Sequence, residues 1–322
     1  MKVLVTGGAG FIGSHVVLEL LKGGDDVVAC DIQITQNALD QILGEQDRRR
    51  LKLERVDIAQ AASLAKMIRT HNVEVIAHIA SPLSAMTEQD PELAIRNMIQ
   101  MQHAVLEAAY AANLRKVVWA SSSGVFGGVD KYPVVPLPNG APHYPTNLYG
   151  ACKSFNEYLA AHYTLRFGLD TLGLRFPAVY GLARLRGATY FRDLVEKPAL
   201  GQACRLPMGD AVYNWLYVAD AALLVSRGLH VERTSTRNFN VGSEVASMRH
   251  AVAMIREWLP DAVIELEPGS YGVIAEYDCT ALREEVGFVP QWSLRRALLH
   301  CINAVRARAG LPLVGGAVAV QP

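Results

Sequence analysis

Tyr149 and Lys153 are the two residues of this chain whose types and spacing most clearly predict chemistry, in a segment that reads YGACK. On a helix, residues four positions apart lie on one face, so the two side chains project together. An ammonium close to a phenol favours the phenolate, which predicts a Tyr149 pKa below the usual value of about 10. We therefore predict that Tyr149 acts as a general acid or base near neutral pH.

Three consecutive serines, Ser121 to Ser123, end an apolar run that begins at Lys116 and predicts a central strand. Serines at a strand end also form turns, so this signal alone is weak. Beside a tyrosine and a lysine at helical spacing, it predicts that Ser122 hydrogen-bonds a substrate oxygen next to Tyr149. The further candidates for substrate contacts are Ser81, Ser123 and Thr189.

The first thirteen residues predict the element that would hold a cofactor. Val3 to Val5 form an apolar strand, TGGAGFIG follows, and an apolar helix comes next. In this arrangement Gly7 permits a tight turn, Gly10 admits a pyrophosphate close to the backbone, and Gly13 lets the helix lie near the strand. The N–H groups at the helix start then face the anion. The predicted diphosphate contacts are Gly7, Gly10, Phe11, Ile12 and Gly13.

Two acidic residues at the ends of the next two predicted strands are candidate contacts for the adenosine half of a dinucleotide. Asp31 follows the glycines at the expected distance and can accept hydrogen bonds from ribose hydroxyls. Residues 32–34 supply no cation for a ribose phosphate, which predicts NAD rather than NADP. Asp57 has two compatible interpretations: it contacts the adenine amino group, or it caps a helix predicted over residues 59–70.

Charge and composition exclude several classes of partner. The formal net charge is zero, so neither nucleic acid nor an anionic membrane surface is expected. No apolar run reaches the roughly twenty residues of a membrane span, and the chain starts in a predicted core strand, so we expect a cytoplasmic protein. Five cysteines without CxxC pairs and nine histidines without ligand spacing predict no metal site. His78, inside a fourth predicted strand, is interpreted as a core histidine.

Strands and helices alternate along the first half of the chain, which predicts an α/β protein with a doubly wound parallel sheet of the Rossmann type. Residues 1–176 are expected to form the NAD-binding domain, with returns to the sheet near residues 211–242. Residues 177–210 and 243–322 are expected to form a smaller substrate lobe. The tail from Gly310 is expected to be poorly ordered.

Six segments spread along the chain carry a family resemblance: TGGAGFIG (6–13), SSSGVFG (121–127), YGACK (149–153), LRFPAVYG (174–181), LYVADAA (216–222) and FNVGS (239–243). Together they resemble the extended short-chain dehydrogenase/reductase family of sugar epimerases, dehydratases and related dehydrogenases. The resemblance implies bound NAD and a catalytic set of Ser122, Tyr149 and Lys153. It also implies a homodimer formed by the helices near residues 91–112 and 147–166. Asn97 would support Lys153. The further cofactor residues that the resemblance implies are Asp57, Ile58, Ile79, Ala80 and Pro177.

Departures from the family pattern narrow the expected reaction. Dehydratases of the family carry an Asp-Glu pair where this chain has Ser123-Gly124, which disfavours loss of water. Nucleotide-sugar enzymes typically have arginines for the sugar diphosphate at the positions of Tyr213 and Glu267, and an Asn at the position of Pro177. The pattern Arg-aromatic-Pro is instead similar to the non-nucleotide branch, which includes short-chain threonine dehydrogenases and sugar-acid dehydrogenases.

We therefore expect an NAD-dependent oxidoreductase that acts on a secondary alcohol of a small non-nucleotide compound, such as a sugar, a sugar acid or a hydroxy acid. Two alternatives stay open: a nucleotide-sugar 4-epimerase with tightly bound NAD, and a non-catalytic NAD-sensing module. Arg184, Arg186 and Arg192 either hold a substrate carboxylate or, as arginines in a variable segment more often do, carry solvated surface charge.

Overall fold

The computed structural model describes residues 1–35, 37–270 and 272–316. The strands in these residues are β1 (Lys2–Thr6), β2 (Asp26–Asp31), β3 (Lys52–Arg55), β4 (Val75–His78), β5 (Lys116–Ser122), β6 (Thr171–Phe176), β7 (Ala178–Tyr180), β8 (Cys204–Leu206), β9 (Val212–Tyr217), β10 (Asn238–Asn240), β11 (Glu244–Ser247) and β12 (Ile264–Leu266). Seven of them form a sheet in the order β10-β6-β5-β4-β1-β2-β3, and every neighbouring pair in it is parallel.

Helices cover both faces of this sheet. They are α1 (Phe11–Lys22), α2 (Leu39–Ile42), α3 (Glu45–Arg50), α4 (Ala61–His71), α5 (Ser84–Gln89), α6 (Pro91–Ala94), α7 (Met101–Ala111), α8 (Leu148–Phe167), α9 (Tyr190–Ala199), α10 (Val218–His230), α11 (Met248–Trp258), α12 (Thr280–Val286) and α13 (Leu294–Arg308). No helix in the described ranges is both long and apolar enough to cross a membrane.

The apolar strands are buried because each face of the sheet has its own helical layer. In β1, Val3 and Val5 pack with α1 and α10, whereas Leu4 points the other way and packs with α4 and α7. This alternation follows from the two-residue repeat of a strand, and an uninterrupted apolar run is typical of a strand covered on both faces. The predicted doubly wound Rossmann-type sheet is confirmed.

The strand order sets the position of the site. β1 pairs with β2 on one side and with β4 on the other, so the connections leave the carboxyl ends of these strands in opposite directions. The glycines after β1, Asp31 at the end of β2 and the serines at the end of β5 therefore share one edge of the sheet. His78 ends β4 as a core histidine, because Thr6 hydrogen-bonds its Nδ1 at 2.7 Å and burial lowers its pKa to about 3.

After β6, the described part of the chain returns to the central sheet once. β10 joins it beside β6, as expected, but the prediction of a second return near residues 211–220 is wrong. β9 lies instead in a three-stranded sheet between β7 and β11. The cause lies at Pro177, which separates β6 from β7 and has no N–H to continue the ladder, so β7 leaves the central sheet and pairs with β9. The division into a NAD-binding domain and a substrate lobe stays a prediction.

Of the two long helices expected near the site, one differs from the prediction and the other agrees with it. The single helix expected over residues 91–112 is interrupted by a π-helical segment, Ile95–Gln100, which contains Asn97. π-helical turns are frequent at functional sites. α8 begins where the Asn147 side chain accepts the N–H of Gly150 at 2.8 Å, and it ends at Gly168, whose φ of 76° favours glycine.

The expectation of a poorly ordered tail from Gly310 is wrong for the described part of that tail. Asn303 on α13 both donates to the carbonyl of Val314, at 3.0 Å, and accepts its N–H, at 2.9 Å. A side-chain amide that pairs twice with one backbone unit holds the segment against α13. Residues 317–322 lie outside the described residues.

Candidate active site

The turn after β1 is built by glycines that leave no room for side chains. A Cβ on Gly7 would lie 2.7 Å from the backbone of Ala80, and one on Gly13 would lie 2.0 Å from the carbonyl oxygen of Gly7. Gly7 also has a φ of 71°, which side chains rarely adopt. The helix therefore approaches the turn as closely as the sequence pattern predicts. We call residues 7–13 the glycine cradle.

Gly8 belongs to this cradle as well, and the sequence analysis missed it. A Cβ at Gly8 would lie 2.6 Å from the Cβ of Ala29 on β2. Gly10 differs from its neighbours: among the described residues other than those next to it in the chain, the one atom near a Cβ at this position is the Gly7 carbonyl oxygen, at 3.2 Å. The side of the cradle next to Gly10 is therefore open, which is where a ligand would approach the start of α1.

Tyr149 lies on the first turn of α8, and its phenol interacts with the hydroxyls of Ser122 and Ser81. Ser122 comes from the end of β5, and Ser81 follows β4. The structure thus brings two of the predicted serines to the predicted tyrosine. Glu88 on α5 fixes the helix start from outside, because its carboxylate accepts the N–H of Tyr149 at 3.1 Å.

The prediction that the Tyr149 pKa is lowered is wrong for the protein chain by itself. Burial raises the pKa of Tyr149, and the hydrogen bonds from Ser122 and Ser81, which lower it, do not outweigh the effect of burial. Lys153 does not supply the expected compensation. Its Nζ donates to the carbonyl of Ala120 at 2.7 Å and lies 5.6 Å from the centre of the Tyr149 ring. The ammonium is therefore held by β5 as well as facing the tyrosine ring.

Lys153 is itself strongly affected by its surroundings. Only 4% of the residue is exposed, and burial lowers its pKa from 10.5 to about 8. Asn97 is not its hydrogen-bond partner: the Asn97 side chain accepts from Arg96, at 3.4 Å. The role of Asn97 toward the lysine stays a prediction.

A buried ion pair lies one helical turn beyond Lys153. Arg175 on β6 donates to both carboxylate oxygens of Glu157, at 2.9 and 2.7 Å, and the hydroxyl of Ser121 donates to the same carboxylate at 2.6 Å. His143 completes the group, with Nε2 3.3 Å from Arg175 and Nδ1 2.7 Å from the Ser154 hydroxyl. We call Ser121, His143, Glu157 and Arg175 the ion-pair cluster. Because it joins α8 to β5 and β6, it fixes the helix that carries Tyr149 to the strand that carries Ser122.

The ion-pair cluster was not predicted, although part of its signal is in the sequence. Glu157 follows Lys153 by four residues and therefore lies on the same helix face, where a carboxylate inside a buried helix needs a partner. That the partner is Arg175 depends on the pairing of β5 with β6, which local sequence does not determine.

Comparison with known proteins decides the family. The model for the NAD-dependent epimerase/dehydratase family matches residues 3–242. The chain belongs to this family. It is 28% identical to an uncharacterized epimerase/dehydratase of Staphylococcus aureus (strain MRSA252), over 91% of this chain and 93% of that protein. The resemblance stated from the motifs is thereby confirmed, and NAD is the cofactor.

Solved structures similar to this family member include two different kinds of enzyme. One is the UDP-glucose 4-epimerase of Thermus thermophilus in complex with NAD, with a TM-score of 0.80, 25% identity and coverage of 95% of this chain and 99% of that chain. The other is a GalE-like L-threonine dehydrogenase from Cupriavidus necator in its holo form, with a TM-score of 0.83, 23% identity and coverage of 94% and 99%. Both are similar in fold over nearly the whole chain, and they differ in substrate.

The glycine cradle fits the diphosphate of NAD. The first turn of α1 carries no acidic residue, and its N–H groups at Phe11, Ile12 and Gly13 have no partners within the helix. An anion at the open side beside Gly10 would receive these N–H groups and the positive end of the helix dipole. These residues would therefore hold the diphosphate, as expected for this family.

Asp31 lies where the adenosine ribose is expected. Its carboxylate accepts the N–H of Gln33 at 3.2 Å and also faces the N–H groups of Ile32 and Ala9, yet burial raises its pKa. The charge of Arg186, from the segment before α9, acts on it as well. An aspartate at this place can accept hydrogen bonds from ribose hydroxyls.

The other predicted cofactor residues occupy the same edge of the sheet. Asp57 is exposed and its carboxylate accepts the N–H of Ala59 at 3.1 Å, while Gln60 is the residue that precedes α4. The interpretation of Asp57 as the helix cap is therefore wrong, because a turn closed by the Asp57 carbonyl and the Gln60 N–H comes before the helix. The remaining residues lie at strand ends, and their contacts with NAD stay predictions: Ile58, Ile79, Ala80 and Pro177.

A tyrosine that was not predicted lies beside Ser123, one of the residues predicted to contact substrate. Ser123 interacts with the phenol of Tyr277, whose pKa burial raises to about 12. Tyr277 also donates to the carbonyl of Ile274 at 2.6 Å. Thr189, by contrast, precedes α9 and is not among the hydroxyls that interact with Tyr149. Among the residues that the structure describes, no group of three or more His, Cys, Asp or Glu side chains could hold a metal ion.

Proposed function

We propose that this family member is an NAD-dependent oxidoreductase that removes a hydride from a secondary alcohol of a small, non-nucleotide, hydroxylated substrate. The observation that carries the proposal is the meeting of Ser122 and Ser81 with the phenol of Tyr149, above the buried Lys153. A binding module needs none of this proton chemistry, which argues against the NAD-sensing alternative. NAD, when bound, supplies the hydride acceptor.

In the proposed mechanism Tyr149 takes the proton of the substrate hydroxyl. The hydroxyls of Ser122 and Ser81 interact with its oxygen and lower its pKa, which favours the phenolate that must form before the proton can be accepted. Lys153 adds positive charge beside the ring and is held in place by the Ala120 carbonyl. The ion-pair cluster keeps α8 and β5 in register, so that the tyrosine and Ser122 face the same substrate oxygen.

The two positions at which nucleotide-sugar enzymes have arginines support a non-nucleotide substrate. Tyr213 is buried in an aromatic cluster, with its ring centre 5.2 Å from that of Phe191 and 5.5 Å from that of Trp215. Glu267 forms an ion pair with Arg205, at 2.8 Å, on the surface. Neither residue offers a cation to a sugar diphosphate, and a carboxylate at one of the positions would repel it.

Arg192 gives no support to a carboxylate-bearing substrate. It pairs with Asp193 at 3.1 Å and lies 3.8 Å from Glu196, both on its own helix. We therefore interpret Arg192 as a surface charge, the more common of the two roles considered for it. Small polyols and sugars rank before acids as the first substrates to test.

The direct test is a screen of polyols, sugars, sugar acids and hydroxy amino acids with NAD, followed by the absorbance of the reduced cofactor. We expect turnover with at least one of these classes. Silence across the whole screen, with NAD that stays bound to the protein, contradicts the proposal. It would move the choice to the nucleotide-sugar 4-epimerase alternative.

That alternative draws on the similarity to the Thermus thermophilus UDP-glucose 4-epimerase and has its own test. A ligand that binds only the native state raises the melting temperature, and the rise grows with the logarithm of the ligand concentration above its Kd. We expect no rise with UDP or dTDP at millimolar concentration. A rise of several degrees with either nucleotide contradicts the non-nucleotide proposal.

We also propose that the protein is a cytoplasmic homodimer that pairs α7 and α8 with the same helices of a second copy. The outer faces of these helices carry large exposed apolar side chains, with Tyr158 72% and Leu165 84% exposed. Two helices from each copy would cover these faces, as the family resemblance implies. Sedimentation of wild type and of Leu165→Glu tests this, with a dimer expected for the first and a monomer for the second.

A further inference from the structure

We propose that Arg184 binds the diphosphate of NAD from the side opposite the start of α1. This assignment concerns the cofactor and holds for either class of substrate. Arg184 belongs to the segment between β7 and α9, and this segment lies against three separate parts of the sheet edge that is expected to bind NAD.

Two close approaches and one electrostatic effect place this segment over the edge of the sheet. His15 on α1 interacts with the carbonyl of Leu182 at 3.1 Å, and a Cβ on Gly187 would lie 3.0 Å from the side chain of Leu83, after β4. Arg186 acts on Asp31 at the end of β2. The segment therefore runs past the ends of β1, β2 and β4, which are the strands that surround a dinucleotide in this fold.

The guanidinium of Arg184 lies at the glycine cradle. Its Cζ is 4.9 Å from the centre of the Phe11 ring, and Phe11 is the first residue of α1. Nη1 donates to the carbonyl of Val179 at 2.7 Å, which fixes one side of the guanidinium. Ala183, directly before it, has a φ of 63°, an unfavourable value for a residue other than glycine. Such backbone strain persists where the surrounding structure holds it, which is common at ligand-binding segments.

Within the described residues, no carboxylate pairs with the partly buried guanidinium of Arg184. Its Nε is buried and has no hydrogen-bond partner in the described part of the chain. The titratable group that acts on it there is the Tyr190 phenol, not a carboxylate, and burial lowers the pKa of the guanidinium. By contrast, Arg192 and Arg205 in the same half of the chain are paired with carboxylates. A buried cation with an unused donor is costly unless a ligand supplies the negative charge.

The charge balance at the cradle points to the same ligand. A helix start supplies only about half a positive charge, whereas each of the two phosphates of NAD is negative. No lysine or arginine lies within the cradle, residues 7–13, or in the first turn of α1. A guanidinium, with its rigid set of donors, matches phosphate oxygens well. Arg184 therefore supplies charge that the glycine cradle by itself does not.

The test uses the full chain freed of bound nucleotide, with ADP-ribose and adenosine as probes in isothermal titration calorimetry. ADP-ribose contains the diphosphate, and adenosine does not. We expect Arg184→Met to weaken ADP-ribose by about 10- to 100-fold, as for the loss of a charged hydrogen bond, and to leave adenosine within about twofold. The matched control, Arg192→Met, removes a paired arginine from the same region and is expected to leave both affinities unchanged.

Two readouts separate this role from a structural one. The melting temperature of the nucleotide-free Arg184→Met protein is expected to equal or exceed that of wild type, because an unpaired buried charge is removed. If this variant does not fold, Arg184→Lys is used instead, because it keeps the charge but loses the planar donors. We then expect the affinity for ADP-ribose to fall by about 3- to 10-fold and the affinity for adenosine to stay unchanged. An unchanged ADP-ribose affinity, or an equal loss for ADP-ribose and adenosine, overturns the proposal. Neither readout depends on turnover, so the substrate assignment can fail independently.

Discussion

The glycine cradle and the helix α8 serve the same cleft but are built by opposite means. In the cradle, function depends on missing side chains: Gly7 and Gly13 touch the backbone so closely that a single methyl group would clash. On α8, function depends on polar side chains that are buried in contact with one another, from Tyr149 and Lys153 to Glu157. The first region is sensitive to volume and the second to hydrogen bonding and charge.

A second contrast lies within α8 itself. Glu157 and Arg175 are fully paired, with two hydrogen bonds between them. Lys153, one turn away, has a carbonyl for a partner and no carboxylate hydrogen bond, and its pKa is lowered to about 8. The hydrogen-bonded ion pair holds α8 against β6, whereas burial without a carboxylate hydrogen bond brings the pKa of Lys153 toward neutral pH. Lys153 is therefore available for proton chemistry, and the pair of Glu157 and Arg175 holds the helix that carries it.

The largest expected effect follows from breaking the ion-pair cluster. Glu157→Gln leaves the Arg175 guanidinium buried without its carboxylate, and loss of one partner of a buried pair costs about 3–5 kcal/mol. We expect the free energy of unfolding, measured by urea denaturation, to fall by that amount. Glu257→Gln is the matched control: its ion pair with Arg295 is solvent-exposed, so a much smaller loss than that of Glu157→Gln is expected. Equal losses in the two variants would show that the cluster is not special.

Tyr149→Phe tests the chemical half of α8. The substitution removes the proton acceptor but keeps the ring, so we expect kcat on the substrate found in the screen to fall by about 100-fold or more. The affinity for NAD, measured by calorimetry, is expected to stay within about twofold. Tyr158→Phe, on the same helix but on its outer face and away from Ser122 and Ser81, is expected to leave kcat unchanged. Full activity of Tyr149→Phe would eliminate the mechanism.

Gly13→Ala tests the volume-sensitive region with a single methyl group. The new Cβ would lie 2.0 Å from the Gly7 carbonyl oxygen, so α1 must move away from the turn. Overpacking of this kind costs about 1–3 kcal/mol, and we expect NAD affinity to fall by about 5- to 100-fold. At Gly44 a Cβ would meet nothing within 4 Å, so Gly44→Ala is expected to bind NAD as wild type does. Similar NAD affinities in the two variants would contradict the proposed cradle.

The parts of both regions that follow from local sequence could be predicted. The cradle is local: strand, glycines and helix follow one another within twenty residues, so the reasons for Gly7 and Gly13 follow from the sequence pattern itself. The helical spacing of Tyr149 and Lys153 is local too. The fold class and the strand-end position of Ser122 follow from the same short patterns.

What could not be predicted depends on contacts between distant segments. Arg175 reaches Glu157 because β6 pairs with β5. β9 lies outside the central sheet because it pairs with β7, which turns away from that sheet after Pro177. The direction of the Tyr149 pKa shift was predicted wrongly for a related reason. Spacing shows that Lys153 is near, but only packing shows that the phenol is buried and that the ammonium is directed to Ala120.

A difference in the pH dependence of stability is expected between wild type and Lys153→Met. Burial lowers the Lys153 pKa from 10.5 to about 8, so between these pH values the unfolded chain binds more protons than the folded one. Stability from this group therefore rises with pH across that window, and below about pH 8 the cost of burying the ammonium is fully present. We expect Lys153→Met, free of nucleotide, to gain stability relative to wild type at pH 7 and to lose that relative gain by pH 10, in paired urea titrations. A difference that stays constant with pH would mean that Lys153 is not the under-paired charge of α8.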